Sequence, residues 1–237
     1  MAVDDRDGDL RIRGDFDEEA AIAAFAKTLG ALPSRPVRTA EFGGTPFAFA
    51  QDRSPRMLRH EGAADQGYVA LSWPTTDGRD LRSALTRDLL AAVIQIRVLE
   101  KLREELGATY SPDSGSQASP APDGFGHLLV ATQAAPDKAE LVIASIREIA
   151  ADLRERPVSD DLLLRARLPI LERYREQQRQ NATWLTAVAL AQSRPDRLDR
   201  LRQRSEVMQS ITADELLAAA RAYLDEEPLL IQVMPKG

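Results

Sequence analysis

A broad apolar stripe between residues 79 and 106 constrains the fold more than any other feature of this sequence. Apolar residues recur there at steps of three and four, which is the spacing that lines one face of an α-helix. The stripe consists of Leu81, Leu85, Leu89, Ala92, Ile96 and Leu99, widened by Leu90, Val93 and Val98. A helix with so wide an apolar face must pack against another layer. The alternating residues 67–73 just before it predict a strand of that layer, with Val69, Leu71 and Trp73 on one face.

Shorter alternating or β-rich segments predict the other strands. They cover residues 10–13, 46–50, 57–61, 125–133 and 229–234, with a more polar strand within 110–119. A turn over residues 120–124 would join this polar strand to the strand that follows it as a hairpin. Because several strands follow one another in the middle of the chain, we expect mainly antiparallel pairing.

Helical spacing predicts further helices on both sides of the long one, and most carry a start signal. A capping box is predicted from Asp15 with Glu18, from Asp137 with Glu140 and from Thr212 with Glu215, and Ser159 is predicted as an N-cap. Two more helices are expected over residues 184–192 and 197–211. Pro169 predicts a kink in the helix that Ser159 begins. Gly107 is placed to cap the end of the long helix.

These elements predict an α+β fold, in which helices cover one face of a mainly antiparallel sheet. No shift in composition and no internal repeat marks a boundary within the chain. We therefore expect a short flexible segment over residues 1–8, followed by a single domain over residues 9–237.

Composition excludes several classes of function. The formal net charge is −6, and the arginines are spread among acidic residues, which argues against a protein that binds nucleic acid by neutralising phosphates. No apolar run approaches the roughly 20 residues that span a bilayer, so we expect no membrane span. The chain has no cysteine, which excludes disulfides, thiolate metal sites and cysteine nucleophiles.

The motifs of known active sites are also missing. The two histidines, His60 and His127, lie far apart and inside strand patterns, and the sequence contains no H-x-x-E-H or H-x-x-H spacing for zinc. The hydroxyls of residues 111–116 lack a nucleophile elbow and a histidine partner. The pair Gly43–Gly44 does not make a phosphate-binding loop, because the longer glycine-rich patterns of such loops are missing. The sequence therefore predicts no metal or cofactor site in this chain, and the acidic pairs 160–161 and 226–227 fit helix capping and solvation.

One segment carries a family resemblance. Residues 102–112, with the sequence LREELGATYSP, resemble the "L-R-E-x-x-G-x-x-Y-S" signature in the C-terminal halves of zinc metallopeptidases of the insulinase/pitrilysin family. Other segments resemble that family's landmarks in order and spacing. They are Gly14–Asp–Phe–Asp17 with Leu32–Pro33, Asn181 with Trp184 and Leu185, and Ile211–Thr212 with Glu215. The resemblance runs from about residue 9 to 235 and points to the C-terminal, non-zinc-binding domain of a long bacterial member.

The resemblance implies a different role for each domain of the complete enzyme. Enzymes of this family form a clamshell of similar α+β domains, in which zinc and the general base belong to another domain. The last domain contributes an arginine and a tyrosine to the peptide substrate, and these map by motif onto Arg103 and Tyr110. The implied partners are a peptide and a zinc-bearing domain of the same protein or of a second subunit. The isolated chain is then expected to be inactive. The resemblance also favours a periplasmic over a cytoplasmic location, which the residues themselves leave open.

Elementary chemistry explains why those two residue types suit the role. Amide hydrolysis places negative charge on the carbonyl oxygen, and a neutral tyrosine hydroxyl or a charged guanidinium can donate hydrogen bonds to such oxygens. Structural alternatives exist: Arg103 pairs with acids near a helix end, and Tyr110 packs its ring half-buried. The corresponding alternative functions are a non-catalytic scaffold subunit of the same fold, or a separate partner subunit of a two-chain peptidase.

Overall fold

The computed structural model describes residues 15–33, 48–106, 111–118, 124–191, 194–224 and 227–236, and a five-stranded sheet lies at its centre. The strands are β1 (Arg56–His60), β2 (Gly67–Thr75), β3 (Asp113–Ala118), β4 (Gly126–Ala134) and β5 (Leu229–Pro235). They lie in the order β1-β5-β2-β4-β3. The pair β1–β5 is parallel, and the other three pairs are antiparallel. The hairpin predicted between residues 110–119 and 125–133 is confirmed as β3–β4.

Seven helices are described. They are α1 (Glu18–Lys27), α2 (Leu81–Leu106), α3 (Ala139–Glu155), α4 (Asp160–Arg179), α5 (Asn181–Ala191), α6 (Arg197–Ser210) and α7 (Ala213–Tyr223). Single 3-10 turns occur at Leu29–Ala31 and Pro136–Lys138. The long helix predicted over residues 79–106 is confirmed as α2. In the parts of the chain that the structure describes, no helix is long and apolar enough to cross a bilayer.

The core lies on one face of the sheet, as the alternation of β2 predicted. Val69, Leu71 and Trp73 are fully buried there, next to Leu128 and Val130 of β4. The inner faces of α2, α3, α4 and α7 complete the same cluster. Burying this continuous apolar surface is the main stabilising contribution to the fold. The α+β class with helices on one face is thus confirmed.

The other face of the sheet keeps accessible apolar side chains. Tyr68 is exposed, while Leu129, Ile231 and Val233 are half-buried. Cross-strand register makes them neighbours, because Tyr68 lies opposite Val233 on one side and Gln133 on the other. None of these four residues belongs to the core cluster. The sheet therefore presents a partly apolar surface opposite its helical layer.

Two predicted capping boxes are wrong. The N-cap of α1 is Asp17, whose carboxylate accepts a hydrogen bond from the Ala20 N–H at 2.9 Å, rather than Asp15. Asp137 does not cap α3, because Pro136 begins a 3-10 turn there, and α3 starts at Ala139 without a side-chain cap. The predicted caps at Ser159 and Thr212 are confirmed, the latter as a complete capping box.

Several other predictions are corrected or lie outside the described residues. Residues 48–50 of the predicted strand 46–50 are not in a strand. The predicted strand over residues 10–13, the flexible segment 1–8, Gly107 and most of the turn over 120–124 fall outside the described ranges. Of that turn, Gly124 is described and has φ of 74°, a backbone conformation that glycine adopts at little cost. α4 runs through Pro169, and a kink there stays a prediction.

Helix α1 does not pack into the core. It contains no buried residue, and Ile22 on its apolar side is 61% exposed. Leu32, just beyond it, is 64% exposed. The apolar side of this helix therefore does not contribute to the core that the sheet and the other helices form.

Candidate functional site

Arg103 lies in the last turn of α2, and its side chain is exposed. Its neighbour Leu102 is fully buried, so the helix is anchored while the guanidinium of Arg103 projects outward. Within the described ranges this guanidinium makes no hydrogen bond and no ion pair. No described acid pairs with it, and its contact with a substrate stays a prediction.

Ion pairs to two neighbouring helices hold the last turns of α2 in place. Arg97 contacts Asp152 of α3 at 2.8 Å, and Lys101 contacts Glu148 at 2.9 Å. On the other flank, Glu100 pairs with Arg165 of α4. Each exposed pair contributes little to stability on its own. Together they restrict the rotation of the helix end and hence the direction in which Arg103 points.

Tyr110 lies outside the described residues, so its role stays a prediction. The chain is described again from Ser111, and the next residue is held against α2, since the amide of Gln95 donates to the Pro112 carbonyl at 3.2 Å. Gln95 lies two helical turns before Arg103, a distance of about 12 Å at 1.5 Å per residue. Pro112 therefore lies beside α2 at a level about two turns before Arg103.

A cavity of about 520 Å³ opens beside Ser111, where β2 begins and β4 ends. Its polar lining includes Asp65, Gln66, Tyr68, Ser111, Asp113 and Gln133. Tyr68 and Gln133 belong to the accessible face of the sheet, so the cavity is continuous with that surface. This volume falls within the range of about 300–1,000 Å³ that is usual for ligand pockets in proteins.

His60 holds the loop that carries Asp65 and Gln66, two residues of the cavity lining. Its Nδ1 accepts a hydrogen bond from the Gly62 N–H at 2.9 Å, which requires the remaining ring proton to be on Nε2. Nε2 then donates to the Gln66 carbonyl at 2.7 Å. Both ring nitrogens are thus used to fix the loop between β1 and β2, and His60 has no nitrogen left for a metal.

The described part of the chain does not fit a zinc ion. No group of three or more histidine, aspartate, glutamate or cysteine side chains is close enough together there to hold a metal. His127 lies in β4, where burial lowers its pKa, and its ring packs near Phe125 with the ring centroids 6.1 Å apart. Both histidines therefore have structural explanations.

A fully buried arginine is the polar feature that sequence reasoning missed. Arg87 of α2 is 0% exposed, and its guanidinium donates to the Thr76 hydroxyl at 2.9 Å, the Ser83 hydroxyl at 2.7 Å and the Asp77 carbonyl at 2.6 Å. The Tyr223 hydroxyl of α7 lies 3.2 Å away, and the guanidinium stacks over its ring. Burial alone would raise the pKa of Tyr223, but hydrogen bonds from Thr76, Ser83 and Arg87 outweigh it and lower that pKa. Arg87 thus joins α2, α7 and the end of β2.

Comparison with known proteins identifies the class to which this fold belongs. Residues 10–169 match the family model described as the peptidase M16 inactive domain. The match covers more than half of the chain, which therefore belongs to this metallopeptidase family, the insulinase/pitrilysin family predicted from residues 102–112. No curated protein matches the chain.

Solved structures from bacteria share the fold. The periplasmic protease PqqL from Escherichia coli matches with a TM-score of 0.69 and 17% identity, over 94% of this chain and 25% of that one. A conserved protein from Enterococcus faecalis V583 matches with a TM-score of 0.71 and 17% identity, over 94% and 51%. The peptidase M16 inactive domain from Pseudomonas fluorescens matches with a TM-score of 0.60 and 17% identity, over 77% and 44%. The chain thus spans about half or less of the length of these structures.

Proposed function

We propose that this chain is the accessory domain of a zinc metallopeptidase and helps to enclose and hold the peptide substrate. Zinc and the general base come from another domain, of the same protein or of a partner subunit. The proposal rests on Arg103, which is exposed at the anchored end of α2 and has no partner among the described residues, inside a chain of the M16 inactive-domain family.

Arg103 and Tyr110 are the proposed contacts to the peptide. Arg103 offers a permanent charge with several donors, suited to a peptide carbonyl. Tyr110 offers one neutral hydroxyl donor, and Ser111 beside it lines the cavity on the accessible face of the sheet. Donors held in place by the fold stabilise developing negative charge without reorganising in the transition state. The accessible sheet face, with Tyr68 and Val233, forms the proposed wall of the substrate chamber.

The proposal extends to the partner and the location. The inactive domain acts together with a zinc-bearing domain, and its sheet face is turned towards that partner across the chamber. The periplasm is the proposed compartment, on the likeness to a protein described as a periplasmic protease.

The test is turnover by this chain assembled with its zinc-bearing domains. Arg103→Gln and Tyr110→Phe should each lower kcat/KM for a peptide about 10²- to 10³-fold, the usual effect of losing one transition-state donor. Arg202→Gln, an exposed arginine of α6, is the matched control and should leave turnover unchanged. Unchanged turnover in both substrate-contact variants would reject these contacts and favour the scaffold function.

A further inference from the structure

A second cavity, of about 440 Å³, lies on the helical side of the sheet between β3, α2 and α4. We call it the β3 groove and define it by Asp88, Gln95, Ser114, Ser116, Arg165 and Arg173. The cavity beside Ser111 lies against the opposite face of the sheet, and neither Arg103 nor Tyr110 lines the groove.

Two serine hydroxyls in the β3 groove lack hydrogen-bond partners. Ser114 lies opposite Val130 and Ser116 opposite Leu128, so both point to the face of the sheet that elsewhere carries the apolar core. Their oxygen atoms are buried and unpaired. A buried hydroxyl without a partner is unfavourable, because it has lost its hydrogen bonds to water and gained none in the protein. The groove thus holds two hydroxyls that a polar ligand would stabilise.

Asp88 adds a half-buried carboxylate to the groove. It makes no hydrogen bond and no ion pair to any residue the structure describes, and burial raises its pKa to about 6, although the charges of Arg87 and Arg173 lower it in part. Arg165 forms ion pairs with Glu100 and Asp161. Arg173 is exposed to solvent, so a ligand would relieve less desolvation at this guanidinium than at the half-buried carboxylate of Asp88. The groove therefore favours a ligand that donates hydrogen bonds and carries positive charge.

The position of β3 suggests how such a ligand arrives. β3 is the last strand in the order of the described sheet, so one of its edges has no neighbour there. Its central residues are Ser114, Gly115 and Ser116, whose small side chains leave the groove open. An extended peptide that pairs with a free edge directs alternate side chains to one face of the sheet. A side chain on the helical face would then enter the β3 groove.

We propose that the β3 groove binds the ammonium or guanidinium group of a lysine or arginine in an extended peptide whose backbone pairs with β3. Asp88 accepts hydrogen bonds from the cation, and the hydroxyls of Ser114 and Ser116 accept others. This site goes beyond the contacts proposed for Arg103 and Tyr110, and it is present in the chain without any zinc-bearing domain.

The first experiment compares two extended peptides that differ in a single lysine or norleucine, by calorimetry with the complete chain. The lysine peptide should bind about 10- to 100-fold more tightly, as expected for charge-assisted hydrogen bonds to a half-buried carboxylate. Asp88→Asn should abolish this difference, whereas Glu104→Gln, which removes an exposed acid from the same helix outside the groove, should preserve it. Equal affinities for the two peptides, or no binding of either, would overturn the proposal.

A second variant tests the two serine hydroxyls of the groove independently of any structural effect of the Asp88 substitution. Ser114→Ala with Ser116→Ala removes two unpaired hydroxyls, so this double variant should fold at least as stably as the parent, as judged by urea unfolding. It should nevertheless bind the lysine peptide several-fold more weakly. Unchanged affinity in this folded variant would contradict the assigned role of the hydroxyls.

The proposed pairing of the peptide backbone with β3 is tested separately. N-methylation of the peptide at alternate residues should abolish binding in one register and be tolerated in the other, because only alternate N–H groups face a neighbouring strand. Equal tolerance in both registers, or equally tight binding of n-butylamine alone, would reject backbone pairing with β3. These measurements use binding by the isolated chain, so their failure is distinct from unchanged turnover in Arg103 and Tyr110 variants.

Discussion

The Glu215 carboxylate shows how a single side chain can serve two structures. It accepts hydrogen bonds from Arg82 of α2 at 2.6 and 3.0 Å, and it closes the capping box of α7 by accepting from the Thr212 N–H at 2.8 Å. The hydrogen bond from Arg82 is the largest cause that lowers the pKa of Glu215 to about 2. α2 is thereby joined to the start of α7 through one charged group.

Glu215→Gln is expected to lower the free energy of unfolding by about 1 kcal/mol at pH 7, after allowance for partial solvent screening. Because the pKa is lower in the folded state than in the unfolded state, this contribution is complete above pH 4.5 and disappears as the pH falls from 4.5 towards 2. Urea unfolding at pH 7 and pH 3 measures the change. Glu206→Gln, at an exposed acid of α6, is the control, and an equal loss there would contradict the assigned role.

Asp88 has the opposite dependence on pH. Its pKa is raised to about 6 in the folded state, so ionisation opposes folding, and stability falls as the pH rises from about 4 to 6. Asp88→Asn should therefore raise the free energy of unfolding at pH 7.5 by on the order of 2 kcal/mol, at 1.36 kcal/mol for each unit of pKa. The gain should vanish below pH 4. A variant that is less stable than the parent at pH 7.5 would show that the carboxylate has a stabilising partner.

At the scale of elements, Arg87 couples α2, α7 and the end of β2. Arg87→Met should cost roughly 3 kcal/mol or more, because it leaves the Asp77 carbonyl and the Thr76 and Ser83 hydroxyls without their buried donor. Tyr223→Phe removes one hydroxyl from the same network and should cost about 1 kcal/mol. Denaturant unfolding of the two single variants and the double variant measures their coupling. Strictly additive costs would contradict a shared network.

The elements differ in how well the sequence predicts them. α2, β2 and the β3–β4 hairpin follow from periodicity, because one strong pattern decides each of them. The capping box at Thr212 is predicted correctly, because the Glu215 side chain can reach back to accept a hydrogen bond from the Thr212 N–H. Asp137 has the same spacing with Glu140, but Pro136 starts a tighter turn and the box does not form. Local spacing is therefore reliable only where the preceding residues leave the helix start unconstrained.

The candidate sites were predictable only in part. Arg103 follows from a motif, and the structure shows its guanidinium exposed, whereas Tyr110 stays a prediction. Arg87 and Asp88 sit inside the periodic pattern of α2 and carry no local signal. Their environments come from Tyr223, Ser114 and Arg173, which are distant in sequence. Burial of a polar residue among such partners is a property of the tertiary fold.

For the whole molecule, α1 is expected to contribute little to the stability of the core. It has no buried residue, so Ile22→Ser should change the free energy of unfolding by less than about 0.5 kcal/mol. Ile146→Ala, at a residue of α3 that is 1% exposed, should cost about 2–5 kcal/mol. Thermal or urea unfolding of the two variants makes the comparison. A large loss in the Ile22 variant would show that α1 packs on the core in solution.

The position of β5 has a consequence for synthesis on the ribosome. β5 is the last described strand in sequence, yet it lies between β1 and β2 and is the neighbour that joins them. During synthesis, β1 has no strand to pair with until the residues of β5, 229–235, have emerged from the ribosome. A nascent chain can form the β2–β4–β3 part and its helices early, but the two halves of the sheet unite only afterwards. An interruption in translation before residue 229 would thus release a polypeptide with two unpaired strand edges, a form prone to aggregation.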